Sequence, residues 1–236
     1  MDTFIITCEH GGNRIPAPYR LLFRGQRALL DSHRGYDPGS LVVAKALASA
    51  FAAPLVASTV SRLLIDLNRS IGHPQLFSAV TRAEPAETRA QIVEQHYRPY
   101  RIKVERLVGQ AVARGYRVIH ISSHSFTAEL DGRLRGADVG LLYHPSRRGE
   151  ADVCARWKET MAALAPELRV RRNYPYAGKG DGLTSRLRVR FAQCDYVGIE
   201  LEVNQGIVFA AGRRWTALRR VLTDSLLMAC AALSAP

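Results

Sequence analysis

Three short strings place histidine or an acid at, or just past, the end of an apolar run: Cys8-Glu-His-Gly-Gly-Asn13, Ser122-Ser-His-Ser-Phe126 and Gly198-Ile-Glu-Leu-Glu-Val-Asn-Gln205. Two histidines and a carboxylate gathered by a sheet are enough to hold a zinc ion with one position open for water. A fourth acid can then take the proton from that water. Bound metal brings the pKa of water to roughly 7, so hydroxide becomes available at neutral pH, which is what amide hydrolysis needs. Each string alone has a plainer explanation, because a single histidine at a strand end is more often a hydrogen-bonded structural residue than a ligand. A further string, Ile65-Asp-Leu-Asn-Arg-Ser70, follows Val60-Ser-Arg-Leu, so Arg62, Asn68 and Arg69 fall within eight positions. The planar fork of arginine matches a carboxylate and asparagine adds a donor. A surface ion-pair loop would use the same residues; beside a metal site, a clamp for a substrate carboxylate accounts for them better.

The elements that must position these residues show in the hydrophobic pattern. Strand-like runs, most of them rich in β-branched residues, occupy Thr3 to Cys8, Leu55 to Thr59, Arg117 to Ser122, Gly140 to Tyr143 and Tyr196 to Val203. Helix-like segments with apolar residues three and four apart run over Gly39 to Phe51, Ala86 to Arg114, Glu150 to Ala165 and Arg213 to Leu233. Strands alternating with long helices predict an α/β sandwich of three layers around a mixed, mostly parallel sheet. Breakers punctuate that scheme: Gly11-Gly12, Pro54, Gly115, and a long loop beginning Tyr174-Pro-Tyr-Ala-Gly-Lys-Gly-Asp-Gly. Ligands of open α/β sheets collect beyond the carboxyl ends of the strands, so the residues just after strands are the first suspects.

At 236 residues, with 47% apolar and 23% charged residues, the chain suits one α/β domain over residues 1 to 236. No apolar stretch reaches the ~20 residues of a membrane span; the longest, Leu41 to Val60, is broken by Lys45, Ser49 and Pro54. Met1 leads straight into the first strand without a basic leader, so the expected compartment is the cytoplasm. Cys8, Cys154, Cys194 and Cys230 are scattered and form no CxxC pair, which predicts reduced, mostly buried thiols. The formal charge of +12 comes from 33 basic and 21 acidic residues. No helix-turn-helix, zinc-finger or aromatic-studded RNA-binding pattern accompanies it, so a solvated surface that attracts anionic substrates is expected in place of a nucleic-acid partner.

With these residues in view the chain resembles the N-formylglutamate amidohydrolase family and, more distantly, the zinc carboxypeptidases and aspartoacylases that share its fold. The resemblance runs from His10-Gly-Gly-Asn-Arg-Ile-Pro16 to Glu202-Val-Asn-Gln205. It implies that His10 and His124 bind zinc or another divalent ion. It implies that Arg62 polarises the scissile carbonyl and that Asn68 and Arg69 hold the substrate's carboxylate. Carboxypeptidases carry a metal-binding glutamate three residues after the first histidine, where this chain has Asn13. Asp37, which matches an aspartate of the family, is therefore the candidate third ligand, with an N-cap of the following helix as its structural alternative and Glu9 as a further ligand candidate. Glu202 matches the general base, later the acid to the leaving amine. Glu200, two residues away on the same strand face, is open to the same role. The Gly-rich loop with Gly178, Gly180 and Gly182, followed by Thr184-Ser-Arg186, resembles a family loop, which makes Gly180 and Arg186 candidate substrate-binding residues; the glycines would let the backbone approach a ligand closely and would equally suit a mobile lid.

These residues together predict a zinc-dependent amidohydrolase acting on the amide bond of a small N-acyl amino acid. A carboxypeptidase or peptidoglycan-peptide amidase on the same fold would use the same residues. A non-catalytic binding protein that kept the scaffold is the alternative of another class. The sequence leaves the oligomeric state open.

Overall fold

In the computed structural model, which describes residues 1–231, the apolar runs form one six-stranded sheet. Its strands are β1 (Asp2–Cys8), β2 (Leu55–Ala57), β3 (Arg117–Phe126), β6 (Val139–Leu142), β7 (Val170–Arg172) and β8 (Tyr196–Asn204), with a separate hairpin of β4 (Glu129–Leu130) and β5 (Arg133–Leu134). The sheet order is β2-β1-β3-β8-β6-β7. The first four strands are parallel, and β6 runs antiparallel to β8 while pairing in parallel with β7. Helices α1 (Arg27–Leu30), α2 (Ser40–Ala50), α3 (Ala79–Arg82), α4 (Ala86–Ile92), α5 (Arg98–Ala113), α6 (Arg148–Leu164), α7 (Leu183–Arg190), α8 (Gln205–Ala210) and α9 (Gly212–Ala231) complete the chain. No described helix is long and apolar enough to cross a membrane.

Alternation along the two central strands divides the molecule into layers. Ile119 and Ile121 of β3, with Val197, Ile199, Leu201 and Val203 of β8, pack into one core with α2, α6 and α9. Val118 and Tyr196 turn to the opposite face, where the second core gathers residues of α4, α5 and α7. The same alternation carries His120, Ser122, His124, Glu200 and Glu202 onto this second face. The three-layer sandwich expected from the pattern is therefore present, and one face of its centre is polar.

The departures from expectation have physical causes. The expected helix over Ala86 to Arg114 contains a π-helical turn, Val93–Tyr97, between α4 and α5. Pro99, in the first turn of α5, has no N–H to donate, and its ring crowds the carbonyl four residues back, so the ladder widens there. Strand β3 continues four residues past the expected Ser122, because pairing with β8 extends to Phe126 opposite Asn204 where hydropathy has already fallen. Helix α7 begins at Leu183, inside what was expected to be a loop. Its sequence Leu-Thr-Ser-Arg-Leu-Arg-Val-Arg has too few apolar residues to show a helical stripe. Three-residue β7 and the hairpin are too short to stand out from the pattern. The last two residues of the expected C-terminal helix, Ala232 and Leu233, lie outside the described residues. None of the four cysteines forms a disulfide, but Cys194 is exposed.

Candidate active site

The carboxyl ends of β1 and β3 deliver His10 and His124, whose rings lie 5.1 Å apart, centre to centre. Both turn Nδ1 toward the same oxygen of Asp37: His10 Nδ1 is 3.3 Å and His124 Nδ1 2.8 Å from Asp37 Oδ2. Asp37 reaches them from the turn before α2. Its side chain does not cap that helix, whose N-cap is Gly39; only its carbonyl is used there, accepting from the Ser40 hydroxyl. One ligand atom from each of His10, Asp37 and His124 lies within 4.8 Å of the others, and all three residues are buried.

The far side of each ring is held by a different buried carboxylate. His10 Nε2 bonds Asp66 Oδ1 at 2.7 Å, and His124 Nε2 lies 3.1 Å from Glu9 Oε2. Glu9 also accepts from Ser122 Oγ at 2.6 Å and Tyr100 OH at 2.7 Å. It stands behind His124, on the side away from the Asp37 oxygen, and is not one of the three residues whose ligand atoms converge. Asn13 points elsewhere and donates to Asp31. Such outer carboxylates fix the tautomer and orientation of metal-binding imidazoles.

The charges support the same conclusion about fit. Glu9, Asp37, Asp66 and Glu202 are all buried, while among the described side chains bonded to them only Arg62 carries a permanent positive charge. Burial works against every one of these anions. It raises the Asp37 carboxyl, but the paired His10 and His124 outweigh it and hold that carboxyl far below the usual range. Burial likewise lowers both histidines, yet Asp66 and Asp37 lift His10, and Asp37 and Glu9 lift His124 well above its ordinary value. Glu202 lacks such partners: its Oε2 is buried without a hydrogen bond, and burial pushes its carboxyl up to about 8. Converging imidazole nitrogens, buried carboxylates gathered around them and an orphaned carboxylate oxygen are what a divalent cation would satisfy.

A cavity of about 750 Å³ opens over this centre and is lined by His10, Asp37, Arg62, His124, Glu200 and Glu202 among others. Arg62 reaches across Asp66 (Nη2 to Oδ2, 2.7 Å) and Asp37 (Nη1 to Oδ1, 3.3 Å). Asn68, Arg69 and Gly180 also line the cavity. Asn68 Oδ1 accepts from the backbone N–H of Leu183 at 2.7 Å, and Arg69 Nη1 donates to the Asp181 carbonyl at 3.1 Å. Glu200 accepts from Thr184 Oγ1 at 2.9 Å. Arg186 is exposed on α7 and is not among the lining residues. Its neighbour Arg188 is buried instead, bonding Glu150 Oε1 at 2.9 Å, the Gly178 carbonyl at 2.7 Å and the Gly198 carbonyl of β8 at 2.8 Å, which ties the Gly-rich loop to the sheet. A Cβ on Gly178 would stand 2.0 Å from the Tyr143 nitrogen, so this loop is fitted against the strand at that point.

Reasoning from sequence overlooked Asp66, Ser122, Tyr100 and the Arg188–Glu150 pair. Asp66 and Ser122 lie within strings already singled out, and their polarity next to apolar runs was the available signal. Tyr100 and Glu150 sit in helical stretches and carry no such mark.

The family model for N-formylglutamate amidohydrolase matches residues 2–207. The chain belongs to that family. Gene product Atu2144 from Agrobacterium tumefaciens has a similar structure, with a TM-score of 0.81 at 27% identity over 98% of this chain and 92% of that one. N-formylglutamate amidohydrolase from Ralstonia eutropha JMP134 shares the fold, with a TM-score of 0.69 at 19% identity over 97% of this chain and 93% of its own. A comparison with curated proteins gives no match. As a member of the family the chain is an amidohydrolase with a small-molecule substrate.

Proposed function

We propose that the chain is a metal-dependent amidohydrolase that cleaves an N-acyl amino acid, with His10, His124 and Asp37 holding a divalent cation, zinc by preference. The observation that carries this reading is the convergence of both Nδ1 atoms on Asp37 Oδ2, with each Nε2 held from behind by its own carboxylate. Two imidazoles and one carboxylate, with a position left open, form a donor set suited to catalytic zinc. When bound, the ion would supply a Lewis acid beside the scissile carbonyl and bring the pKa of a water to about 7.

The chain's own residues have separate tasks. Glu202, directly opposite His124 in the sheet and with an uncommitted oxygen, takes a proton from the attacking water and returns it to the leaving amine. Glu200 is occupied by Thr184, which favours Glu202 for that task. Arg62 spends three of its five N–H donors on Asp37 and Asp66, leaving two for the oxygen that gains charge at the reacting carbon. Asn68 commits its carbonyl oxygen to Leu183 and keeps its amide donors for a substrate carboxylate. Arg69 bonds only a backbone carbonyl among its described partners, so its charge is available to the same carboxylate. Both cores pack against one sheet, which supports reading the chain as a single domain.

The test is metal content by elemental analysis of protein purified without added metal or chelator, together with hydrolysis of N-formylglutamate, for the wild type and His124→Ala. Near-stoichiometric zinc with turnover, both lost in the variant, is the expected result. A metal-free, inactive wild type that stays inactive after zinc is added would overturn the proposal.

A further inference from the structure

The active face of the sheet is graded along the strand direction. In register, Ser122 stands opposite Glu200, His124 opposite Glu202, and Phe126 opposite Asn204. Each step of two residues advances about 7 Å. At the first level lies the carboxylate clamp: a Cβ on Gly182 would meet Glu200 Oε1 at 3.0 Å and Asn68 Oδ1 at 3.1 Å, so Asn68 flanks Glu200. The reacting groups occupy the second level. The third holds Phe126 opposite Asn204, whose side chain is turned away to the Ala137 carbonyl and the Gly206 N–H.

Two further side chains with apolar surface line the same cavity. Leu130 projects from the β4–β5 hairpin, and Tyr176 from the Gly-rich loop; with Phe126 they line the cavity. Arg135 joins the two segments. Its Nη1 donates to Tyr176 OH at 2.9 Å, and its guanidinium carbon lies 5.0 Å from the Tyr176 ring and 5.8 Å from the Phe126 ring. Leu130 and Tyr176 remain 38% and 48% exposed, whereas Phe126 is buried, so the open apolar surface is that of Leu130 and Tyr176. Apolar surface left open beside a reaction centre gains by being covered. A formyl group, with one carbon, ends at the second level and covers none of it.

We propose that the substrate carries a bulky apolar group, an aryl ring or a medium alkyl chain, on the acyl side of its scissile amide, seated against Phe126, Leu130 and Tyr176. This rests on the hydrolase reading above and on the orientation set by the carboxylate clamp. The reaction balances as a hydrolysis: the C–N bond breaks, water gives its oxygen to the acyl carbon and a proton to the nitrogen, and the products are a free carboxylic acid and an amino acid.

The experiment has two arms. In the first, zinc-supplemented protein is given N-formyl-, N-acetyl-, N-hexanoyl- and N-benzoylglutamate, and released glutamate is measured. We expect kcat/KM for the hexanoyl or benzoyl compound to exceed that for the formyl compound by about tenfold or more, the order expected for covering a ring or chain. A preference for formyl, or indifference to acyl size, would overturn the inference and leave the hydrolase reading standing, whereas no glutamate from any compound would overturn both. In the second arm, calorimetry compares N-benzylglutamate with N-methylglutamate, which are amines and cannot be hydrolysed. The benzyl compound should bind about tenfold more tightly, and the double variant Leu130→Ser/Tyr176→Ser should bring it down to the methyl compound. Equal affinities in the wild type would sink the apolar subsite, and failure of both to bind would sink the clamp on which its orientation depends.

Discussion

At the scale of single residues, the centre separates groups that touch the reaction from groups that aim others. Glu202 has one buried oxygen without a partner, and in the proposed mechanism that oxygen handles the proton. Glu202→Gln keeps the shape and removes the base, so kcat should fall by about 10²- to 10⁴-fold with metal content unchanged, as elemental analysis alongside steady-state kinetics would show. Retained turnover would move the role to Glu200. Asp66 acts differently, because it bonds His10 Nε2 and Arg62 rather than facing the Asp37 oxygen. Asp66→Asn should weaken metal binding about 10- to 100-fold, measured by competition with a chelating dye, while saturating metal restores much of the activity. A variant that binds metal like the wild type would reduce Asp66 to a purely structural residue.

At the scale of elements, the π-helical turn between α4 and α5 supports the proposed carboxylate clamp from behind. Tyr97, its last residue, donates from its hydroxyl to the Arg69 carbonyl at 2.8 Å, and Arg101 one turn later donates to the Leu67 carbonyl at 3.1 Å. The backbone on both sides of Asn68 is thus fastened to one helix. Tyr97→Phe releases the Arg69 carbonyl and should raise KM about three- to tenfold, the worth of one hydrogen bond, with kcat nearly unchanged. Equal losses in both constants would point to a general disturbance of the centre. The helix containing Pro99 was legible as a helix from its periodicity. The widened turn was not, since it depends on how the ring of Pro99 meets a carbonyl already committed to the ladder.

At the scale of the whole molecule, stability responds to pH through a buried layer below the active centre. His120 lies between Thr7 Oγ1 (2.8 Å from Nε2) and Tyr196 OH (2.6 Å from Nδ1). Burial, reinforced by Arg188 and His124 against the pull of Glu9, lowers its pKa from 6.5 to about 4. The unfolded chain takes up a proton below pH 6.5 that the folded protein refuses until about pH 4. The contribution of neutral His120 is therefore fully present above pH 6.5 and is lost as the pH falls toward 4. It amounts to about 3 kcal/mol at most, to order of magnitude. Urea unfolding of wild type and His120→Gln between pH 4 and 8 should show the stability difference shrinking on the acid side, and a difference constant with pH would contradict the assignment. A divalent ion that binds only the folded state should add about 2.7 kcal/mol at a hundredfold excess over Kd, seen as a rise in Tm that a chelator reverses.

Several features were determined by the sequence itself. Local periodicity is enough to define most strands and helices, because alternation and 3.6-residue spacing are properties of neighbouring residues. The strings around His10, Arg62 to Arg69, His124 and Glu202 were visible because polar residues interrupt apolar runs there, and all four line one cavity. What the tertiary structure decided is what each side chain faces. Asp37 and Glu9 were both candidate ligands on paper. Only the register of β1 against β3 and the turn before α2 put the Asp37 carboxylate between the two Nδ1 atoms and the Glu9 carboxylate behind His124. Arg186 and Arg188 are two positions apart on a short basic helix, and which of them is buried was settled by the packing of α7 onto β8. Contacts between residues far apart in the chain depend on the relative placement of whole elements, and no local pattern encodes that placement.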